Sequence, residues 1–354
     1  MPRLVVVWLV CYKLVWIFSF FAEAWFMEKA LIALAAALAV AVLIGPLMIA
    51  GLRILKFGQT IREDGPRRHL QKSGTPTMGG VIFLLPFVLV SLFLADKTPV
   101  VGLFVGTVIL FGLIGFVDDG IIVMLHRSLG LTAKQKLILQ FIFAFAFIYL
   151  AERLLGRGTD IIFPVTGYKW ELGWAYYPLL ATYMVFIVNA VNLTDGLDGL
   201  ASGISFLVLL GYLLICLTAA LQPPVAGIDY QALAMAAAAL AGGLLGFLVY
   251  NKYPAKVFMG DTGSLALGAA VFALAILTKT ELVFLLLGLV FIVEALSVVI
   301  QVFSFKVFGR RVFKMSPLHH HFEMCGWSEV RIVRTFWAAA ALTVLLGLLL
   351  LAIS

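Results

Sequence analysis

Residues 31–52 have the sequence LIALAAALAVAVLIGPLMIAGL, in which 22 consecutive positions carry no charged side chain. A helix of this length rises about 33 Å, enough to cross the hydrocarbon core of a bilayer, which is about 30 Å thick. Barrel strands alternate polar and apolar residues over only about 9–11 positions, so they do not fit this pattern. The stretch therefore predicts a membrane-spanning α-helix between Lys29 and Arg53.

Similar apolar runs recur along the whole chain. Of its 354 residues, 63% are hydrophobic and 12% are charged, and the mean hydropathy is +1.11. Soluble domains contain about 45–50% apolar residues, and a folded domain of this size could not hide so much apolar surface from water. A soluble enzyme is excluded, and the fold class is an all-α polytopic membrane protein with about ten transmembrane helices. The predicted spans lie near residues 29–51, 78–95, 100–117, 137–151, 178–191, 199–220, 231–250, 264–278, 281–302 and 335–353.

The N-terminal segment is treated separately from these spans. Its apolar stretch Leu4–Phe21 contains Lys13 near the centre, and a central Lys costs about 2.5–3.5 kcal/mol on insertion scales. A cleaved signal peptide is one alternative, because Ala22-Glu23-Ala24 resembles a cleavage site. An interfacial helix is preferred, because Lys13 can extend its amine to the headgroups. The predicted organisation is an N-terminal interfacial segment, residues 1–28, and one integral membrane domain, residues 29–354.

The distribution of basic residues predicts the orientation. Five alternate loops hold 17 of the 25 Lys and Arg residues and all five histidines, which explains the net charge of +7 without a nucleic-acid partner. The positive-inside rule places these loops in the cytoplasm, forming the active site, and both termini in the periplasm. On the opposite face, residues 152–177 are predicted to form a small hairpin. The cytoplasmic loops are residues 52–77, 118–136, 192–198, 251–263 and 303–334.

Two adjacent carboxylates, Asp118 and Asp119, directly follow an apolar run. Such a pair at a helix C-terminus is disfavoured by mutual repulsion and by the negative end of the helix dipole. Either a divalent metal ion or the nearby Lys134 and Lys136 should compensate these charges. The alternative is the solvated start of a loop.

Two further loops combine aspartate with glycine. Asn192–Gly199 places Asp195 and Asp198 three residues apart, and Asp261 lies between two nearby glycines. Glycine lets the backbone approach a ligand closely, and a helix N-terminus can bind phosphate. Alternatively, Thr194 or Asp195 caps the helix that follows the first loop, and Asp261 caps the helix that follows the second. Because Mg²⁺ prefers a few carboxylates together with substrate phosphates, three Asp-bearing loops on one face predict a Mg²⁺–phosphate site.

A triple histidine, His319–His321, lies in the last cytoplasmic loop. Neighbouring side chains diverge and no Cys or HxxxH partner accompanies them, which argues against zinc. Contacts with phosphate or sugar oxygens suit these histidines better, and a solvated, pH-sensitive loop is the alternative. Glu294 lies inside a predicted span and is a functional candidate by position. A helix break or a polar interhelical contact explains it equally well, so we leave it outside the catalytic set.

Five segments together resemble the signatures of the phospho-N-acetylmuramoyl-pentapeptide transferase family. These bacterial lipid I synthases belong to the polyprenyl-phosphate N-acetylhexosamine-1-phosphate transferase superfamily. The segments occur in the family's order, and the resemblance covers about residues 28–354. They are Gly74–Gly80 (GTPTMGG), Phe116–Asp119 (FVDD), Asn189–Gly199 (NAVNLTDGLDG), Val257–Asp261 (VFMGD) and Pro317–Glu323 (PLHHHFE).

The resemblance implies transfer of phospho-MurNAc-pentapeptide from UDP-MurNAc-pentapeptide to undecaprenyl phosphate, which gives lipid I and UMP. It implies Mg²⁺ as cofactor, contacts with membrane lipids, a homodimer and a place in the bacterial inner membrane. Asp118, Asp119, Asp261 and His320 would be catalytic, with Mg²⁺ held by Asp261 and by Asp119 or Asp195. The substrate-binding residues would be Lys72, Thr77, Lys134 or Lys136, Asn192, Asp195, Asp198, Asn251, Phe258, Gly260, Gln301 and His321.

Two other functions compete with this interpretation. A sibling transferase that loads GlcNAc-1-phosphate onto the same lipid would share the aspartate loops, and the PLHHHFE segment favours the muramyl-pentapeptide substrate. A lipid or solute transporter would also explain ten spans and Glu294. A transporter concentrates polar groups near the membrane midplane, whereas here they lie in loops. Release of UMP separates the enzyme from the carrier.

Overall fold

The structure is a computed structural model that describes residues 2–54, 74–125, 130–219 and 227–353, with side chains from residue 27 onward. Helices dominate these residues, and a two-stranded hairpin interrupts them. The strands are β1 (Asp160–Ile162) and β2 (Lys169–Glu171). The helices are α1 (Pro2–Ile54), α2 (Val81–Leu94), α3 (Pro99–Met124), α4 (Ala133–Leu155), α5 (Tyr176–Thr194), α6 (Leu200–Ala219), α7 (Tyr230–Asn251), α8 (Gly260–Leu277), α9 (Phe284–Leu287), α10 (Leu289–Phe308), α11 (Leu318–Met324) and α12 (Glu329–Ala352).

The apolar helices confirm an all-α polytopic membrane protein. In the described part of the chain, nine helices are long and apolar enough to cross a membrane, and α2 is a shorter apolar helix of 14 residues. The predicted span 281–302 is in fact two helices, α9 and α10, which meet at Gly288. At the other end of the chain, α1 continues without a break past residue 28, and the interfacial location of residues 1–28 stays a prediction.

The predicted hairpin is present between α4 and α5. Its strands β1 and β2 are antiparallel, with Ile161 opposite Trp170. A 3₁₀ turn, Gly173–Ala175, then leads directly into α5. The sequence therefore located this element correctly from its β-branched and aromatic residues.

Two helices of small residues form the centre of the bundle. Almost every side chain of α7 and α8 is buried, and both helices are rich in Ala and Gly. Helices α1, α2 and α6 pack on α7, while α3 and α5 pack on α8. Small side chains let helix backbones approach closely, which is the main source of packing energy between helices in lipid. The ends of α8 are therefore held firmly, and each end carries a polar cluster.

The cluster at the C-terminal end of α8 centres on Arg157, which is fully buried. Its guanidinium donates to the carbonyl oxygens of Ile276 at 2.9 Å and Asp160 at 2.6 Å, and it pairs with Glu281. Lys279 approaches the Asp160 carboxylate at 2.7 Å. These contacts join the end of α4, the start of the hairpin and the end of α8.

Candidate active site

The cluster at the other end of α8 contains three carboxylates. Asp118 and Asp119 lie on α3, Asp261 lies on the first turn of α8, and one oxygen of each lies within 4.8 Å of the others. The prediction that α3 ends at the aspartate pair was wrong, because the helix continues to Met124. The pair therefore lies on the last two turns of the helix, where both carboxylates are buried.

Asp119 caps the start of α8. Its Oδ2 accepts hydrogen bonds from the Thr262 N–H at 2.9 Å and the Thr262 hydroxyl at 2.7 Å, and its Oδ1 accepts the Asp261 N–H at 3.2 Å. The first N–H groups of a helix lack intrahelical partners, and here another helix supplies the acceptor. The alternative that Asp261 is the N-cap of α8 was therefore wrong. Gly260 permits this contact, since its φ is +73° and a Cβ there would lie 2.5 Å from Asp119 Oδ2.

Lys136 supplies the positive charge that the carboxylates require. Its Nζ lies 2.9 Å from Asp118 Oδ2 and also contacts Asp261. The second oxygen of Asp118 accepts the Leu131 N–H at 2.7 Å. Lys134 is exposed to solvent instead. Of the two lysines that the sequence left open, the structure brings Lys136 into the cluster.

Asn192 holds the third carboxylate in place and also contacts Ser264. The Asn192 side chain donates to Asp261 Oδ1 and to Ser264 Oγ, each at 2.8 Å. Ser264 was not predicted from the sequence. Its position three residues after Asp261, on the same face of α8, was the available signal.

Asp195 is half-buried at the end of α5. Burial raises its pKa to about 8, and the charges of Asp261, Asp119 and Asp198 add to the shift. A carboxyl group whose pKa is raised on folding binds a proton more tightly in the folded state. Stability is therefore lost as the pH rises from its ordinary pKa of 3.8 towards about 8.

Replacing Asp195 with Asn should reduce this pH dependence of stability. We expect the thermal unfolding midpoint of the unsubstituted protein in EDTA to fall between pH 5 and about pH 8, and to fall less in Asp195→Asn. Thermal unfolding in detergent at several pH values gives the slope of the unfolding midpoint against pH for each protein. Equal slopes in the two proteins would contradict the raised pKa.

Two segments that are distant in the sequence pair beside the cluster. The Phe258 N–H donates to the Pro76 carbonyl at 2.8 Å, and the Gly79 N–H donates to the Phe258 carbonyl at 2.8 Å. This pairing holds the buried Thr77 near Gly260 and leaves Phe258 half-buried. The first and fourth predicted cytoplasmic loops therefore meet at the site.

Asp198 and Asn251 hold the backbone of the segment that leads to Asp261. Asp198 Oδ2 accepts the Ala255 N–H at 2.9 Å, and the Asn251 side chain donates to the Val257 carbonyl at 3.1 Å. Ser202 in turn donates to Asn251 Oδ1 at 2.6 Å. Both predicted residues are buried, and both contact the segment that leads to Asp261.

The triple histidine begins the short helix α11. His320 and His321 are half-buried, and His320 Nδ1 lies 2.7 Å from the Glu323 carboxylate. His319 is instead fully buried. Gln301 uses its amide to hold the chain before α11, accepting the Phe313 N–H at 2.9 Å and donating to its carbonyl at 3.0 Å. Lys72 lies outside the described residues.

The donor atoms of the cluster fit a hard divalent cation. Carboxylate oxygens are the ligands that such ions prefer, and Asp118, Asp119 and Asp261 supply them at one point. From the sequence, Asp261 was expected to hold the metal ion with Asp119 or Asp195. Among the described residues, Asp118 takes the place of Asp195 in the group of three carboxylates.

The sequence is similar to known transferases over most of its length. Residues 101–279 match glycosyl transferase family 4, and residues 72–84 match signature 1 of phospho-N-acetylmuramoyl-pentapeptide-transferase. Proteins named phospho-N-acetylmuramoyl-pentapeptide-transferase are similar to it in three bacteria. The one from Desulfitobacterium hafniense is 53% identical (91% of this chain, 97% of the relative), that from Moorella thermoacetica 54% (92% and 100%), and that from Bacillus subtilis 48% (87% and 94%).

Proposed function

The chain belongs to the phospho-N-acetylmuramoyl-pentapeptide transferase family, and from this premise we propose how its residues carry out the reaction. The enzyme transfers phospho-MurNAc-pentapeptide from UDP-MurNAc-pentapeptide to undecaprenyl phosphate, which gives lipid I and UMP. One substrate is a water-soluble nucleotide sugar peptide and the other is a membrane lipid. The reaction must therefore take place where a membrane bundle meets water.

The carboxylate cluster with its lysine is the observation that carries this proposal. Asp118, Asp119, Asp261 and Lys136 meet at one end of the helix bundle. We propose that this end faces the cytoplasm of a bacterial inner membrane, with both termini in the periplasm, because the basic loops lie on the same side. We also propose a homodimer, which rests on the family resemblance.

Asp261 is proposed as the principal ligand of Mg²⁺. Its side chain is half-buried and, among the described residues, its oxygens accept hydrogen bonds only from the side chains of Asn192 and Lys136, whereas both oxygens of the buried Asp119 anchor the backbone at the start of α8. Asp119 then acts by fixing Asp261, and Asp118 is the nearest additional carboxylate. Bound Mg²⁺ would supply charge neutralisation at the pyrophosphate of the donor.

Asp118 and Lys136 are proposed to act on the lipid phosphate. An oxygen of that phosphate attacks the β-phosphorus of the donor, the bond to the bridging oxygen breaks, and UMP leaves. A phosphate with a second pKa near 6 hardly needs a base at neutral pH, so Asp118 mainly orients it. Lys136 lies between Asp118 and Asp261, where it would balance charge during transfer.

The loops around the cluster are proposed to bind the donor. Phe258 would stack on uracil, since it is half-buried at the edge of the site. His320 and His321 would contact phosphate or sugar oxygens. The remaining pocket residues would be Lys72, Thr77, Asn192, Asp195, Asp198, Asn251, Gly260 and Gln301.

Release of UMP tests the proposed function. The detergent-purified protein should release UMP from UDP-MurNAc-pentapeptide in the presence of undecaprenyl phosphate and Mg²⁺, and EDTA should abolish release. UDP-GlcNAc is the matched donor without the peptide and should give no turnover. Turnover of UDP-GlcNAc alone would assign a sibling transferase, and no UMP from either donor in a folded protein would overturn the enzyme assignment.

The contact between α3 and α8 gives a second test. A Cβ at Gly115 would lie 2.1 Å from the Asp261 carbonyl oxygen, so Gly115→Ala should displace Asp261 and lower turnover about 100-fold. Gly120→Ala is the matched control on the same helix, because a Cβ there meets nothing within 4 Å. Equal turnover of the two variants would contradict the proposed role of Asp261.

A further inference from the structure

We propose that Glu294 is a positioning residue of the transfer reaction. By holding His319 against Gly196, it sets the distance between the triple histidine and the loop that carries Asp195 and Asp198. The inference rests on the proposed function of that site.

Glu294 contacts His319 through both of its carboxylate oxygens. Glu294 is fully buried within α10, and its Oε1 accepts the His319 backbone N–H at 3.2 Å. Its Oε2 lies 3.1 Å from His319 Nδ1. An ionised carboxylate can only accept hydrogen bonds, so the ring hydrogen is assigned to Nδ1 and the lone pair to Nε2. Both the start of α11 and the direction of the ring are thereby fixed from inside the membrane domain.

The opposite edge of the His319 ring meets the aspartate loop. Its Nε2 is buried and has no hydrogen-bond partner among the described residues. A Cβ at Gly196 would lie 2.3 Å from this nitrogen, so only glycine allows the loop to pass so close to the ring. A hydrogen on Nε2 would point at Gly196 without an acceptor, which also favours the Nδ1–H form.

The ring of His319 also packs against the ring of His320, with centroids 4.2 Å apart. A displacement of His319 would therefore be transmitted both to His320 and to Gly196. A buried carboxylate within a membrane domain is expensive, and a purely structural contact could be made by apolar side chains of similar size. The position of Glu294 is explained if the enzyme needs an anionic acceptor to orient His319.

The experiment replaces Glu294 with Gln. The Gln carbonyl can accept the His319 N–H, but its amide donates to Nδ1 and should shift the ring hydrogen to Nε2. We expect kcat for UMP release to fall about 10–100-fold, the loss typical when a group that orients a functional histidine is removed. The Mg²⁺ concentration for half-maximal rate should not change, because Glu294 does not contact Asp261. Glu152→Gln, on α4 at the far end of the bundle, is the matched control and should retain full turnover.

Nitrogen-15 NMR of histidine-labelled protein measures which ring nitrogen of His319 carries the hydrogen. A purely structural role of Glu294 would not require this hydrogen to change position in the variant. The unsubstituted protein should show the Nδ1–H form of His319, and Glu294→Gln should show the Nε2–H form, with His319→Gln assigning the signal. The Nε2–H form in the unsubstituted protein would overturn the proposal. Unchanged kcat in Glu294→Gln would overturn it as well.

Gly196→Ala tests the same contact from the loop side and serves if Glu294→Gln does not fold. Its Cβ should push the ring away, so we expect a similar loss of kcat with the Nδ1–H form retained. Full turnover in this variant would contradict the proposal. Failure of the proposed function would instead appear as no UMP release by the unsubstituted protein, while the NMR readout would still test the Glu294–His319 contact.

Discussion

An Asp261→Asn variant is expected to lose turnover by about 10²–10³-fold while it retains its fold, the size of effect seen when one charge-stabilising group is removed from an active site. Asparagine has the same shape and can still bond to Asn192. It carries no charge, so it should bind a divalent cation weakly and leave Lys136 paired with Asp118 as the remaining carboxylate. Raising the Mg²⁺ concentration should not restore the rate.

UMP release as a function of Mg²⁺ concentration measures this effect, and Mn²⁺ binding followed by electron paramagnetic resonance provides a readout that is independent of turnover. Asp96→Asn is the matched control, because Asp96 is exposed in the loop between α2 and α3. Turnover of Asp261→Asn within a few-fold of the unsubstituted protein at saturating Mg²⁺ would show that the metal assignment is wrong.

The spans could be predicted because hydrophobic run length is a local property of the sequence. The break at Gly288 was not predictable in this way, since α9 and α10 form one continuous apolar stretch. The extension of α3 past Asp118 was missed for a different reason. The helix dipole disfavours carboxylates that lack partners near a C-terminus, whereas α8 and Lys136 stabilise Asp118 and Asp119 from outside the helix.

The residues of the cluster could be predicted, but most of their contacts could not. Asp119 and the start of α8 are separated by 142 positions, and no sequence pattern indicates that one caps the other. Lys134 and Lys136 look alike in sequence. Residues two positions apart on a helix point in directions about 200° apart, so only one of these lysines can face the cluster. His319 was grouped with its neighbours, although its ring turns inward to Glu294.

An Arg157→Met variant is expected to lower the free energy of unfolding by about 3–5 kcal/mol, the cost of breaking a buried ion pair by removing one partner. Arg157 and Glu281 are both fully buried. Burial raises the pKa of Glu281 and the charge of Arg157 opposes that shift, so methionine would remove the main compensating charge and leave the Tyr176 hydroxyl as a hydrogen-bond donor to the carboxylate. For a chain of this size, the thermal unfolding midpoint should fall by about 4–7 °C. Arg153→Met is the matched control near the end of α4, because Arg153 is exposed and its pairing with Glu152 should contribute little.

The double variant Arg157→Met, Glu281→Gln separates loss of charge balance from loss of packing. If the unpaired charge of Glu281 is the main cost, the second substitution should restore at least half of the decrease in the thermal unfolding midpoint. The restoration should be incomplete because a buried polar amide remains. A double variant no more stable than Arg157→Met would contradict this explanation. Turnover of the folded fraction should be unaffected in each variant, since the 18 residues of α8 separate this cluster from Asp261 by about 27 Å. Stability at one end of α8 and chemistry at the other are therefore expected to respond to different substitutions.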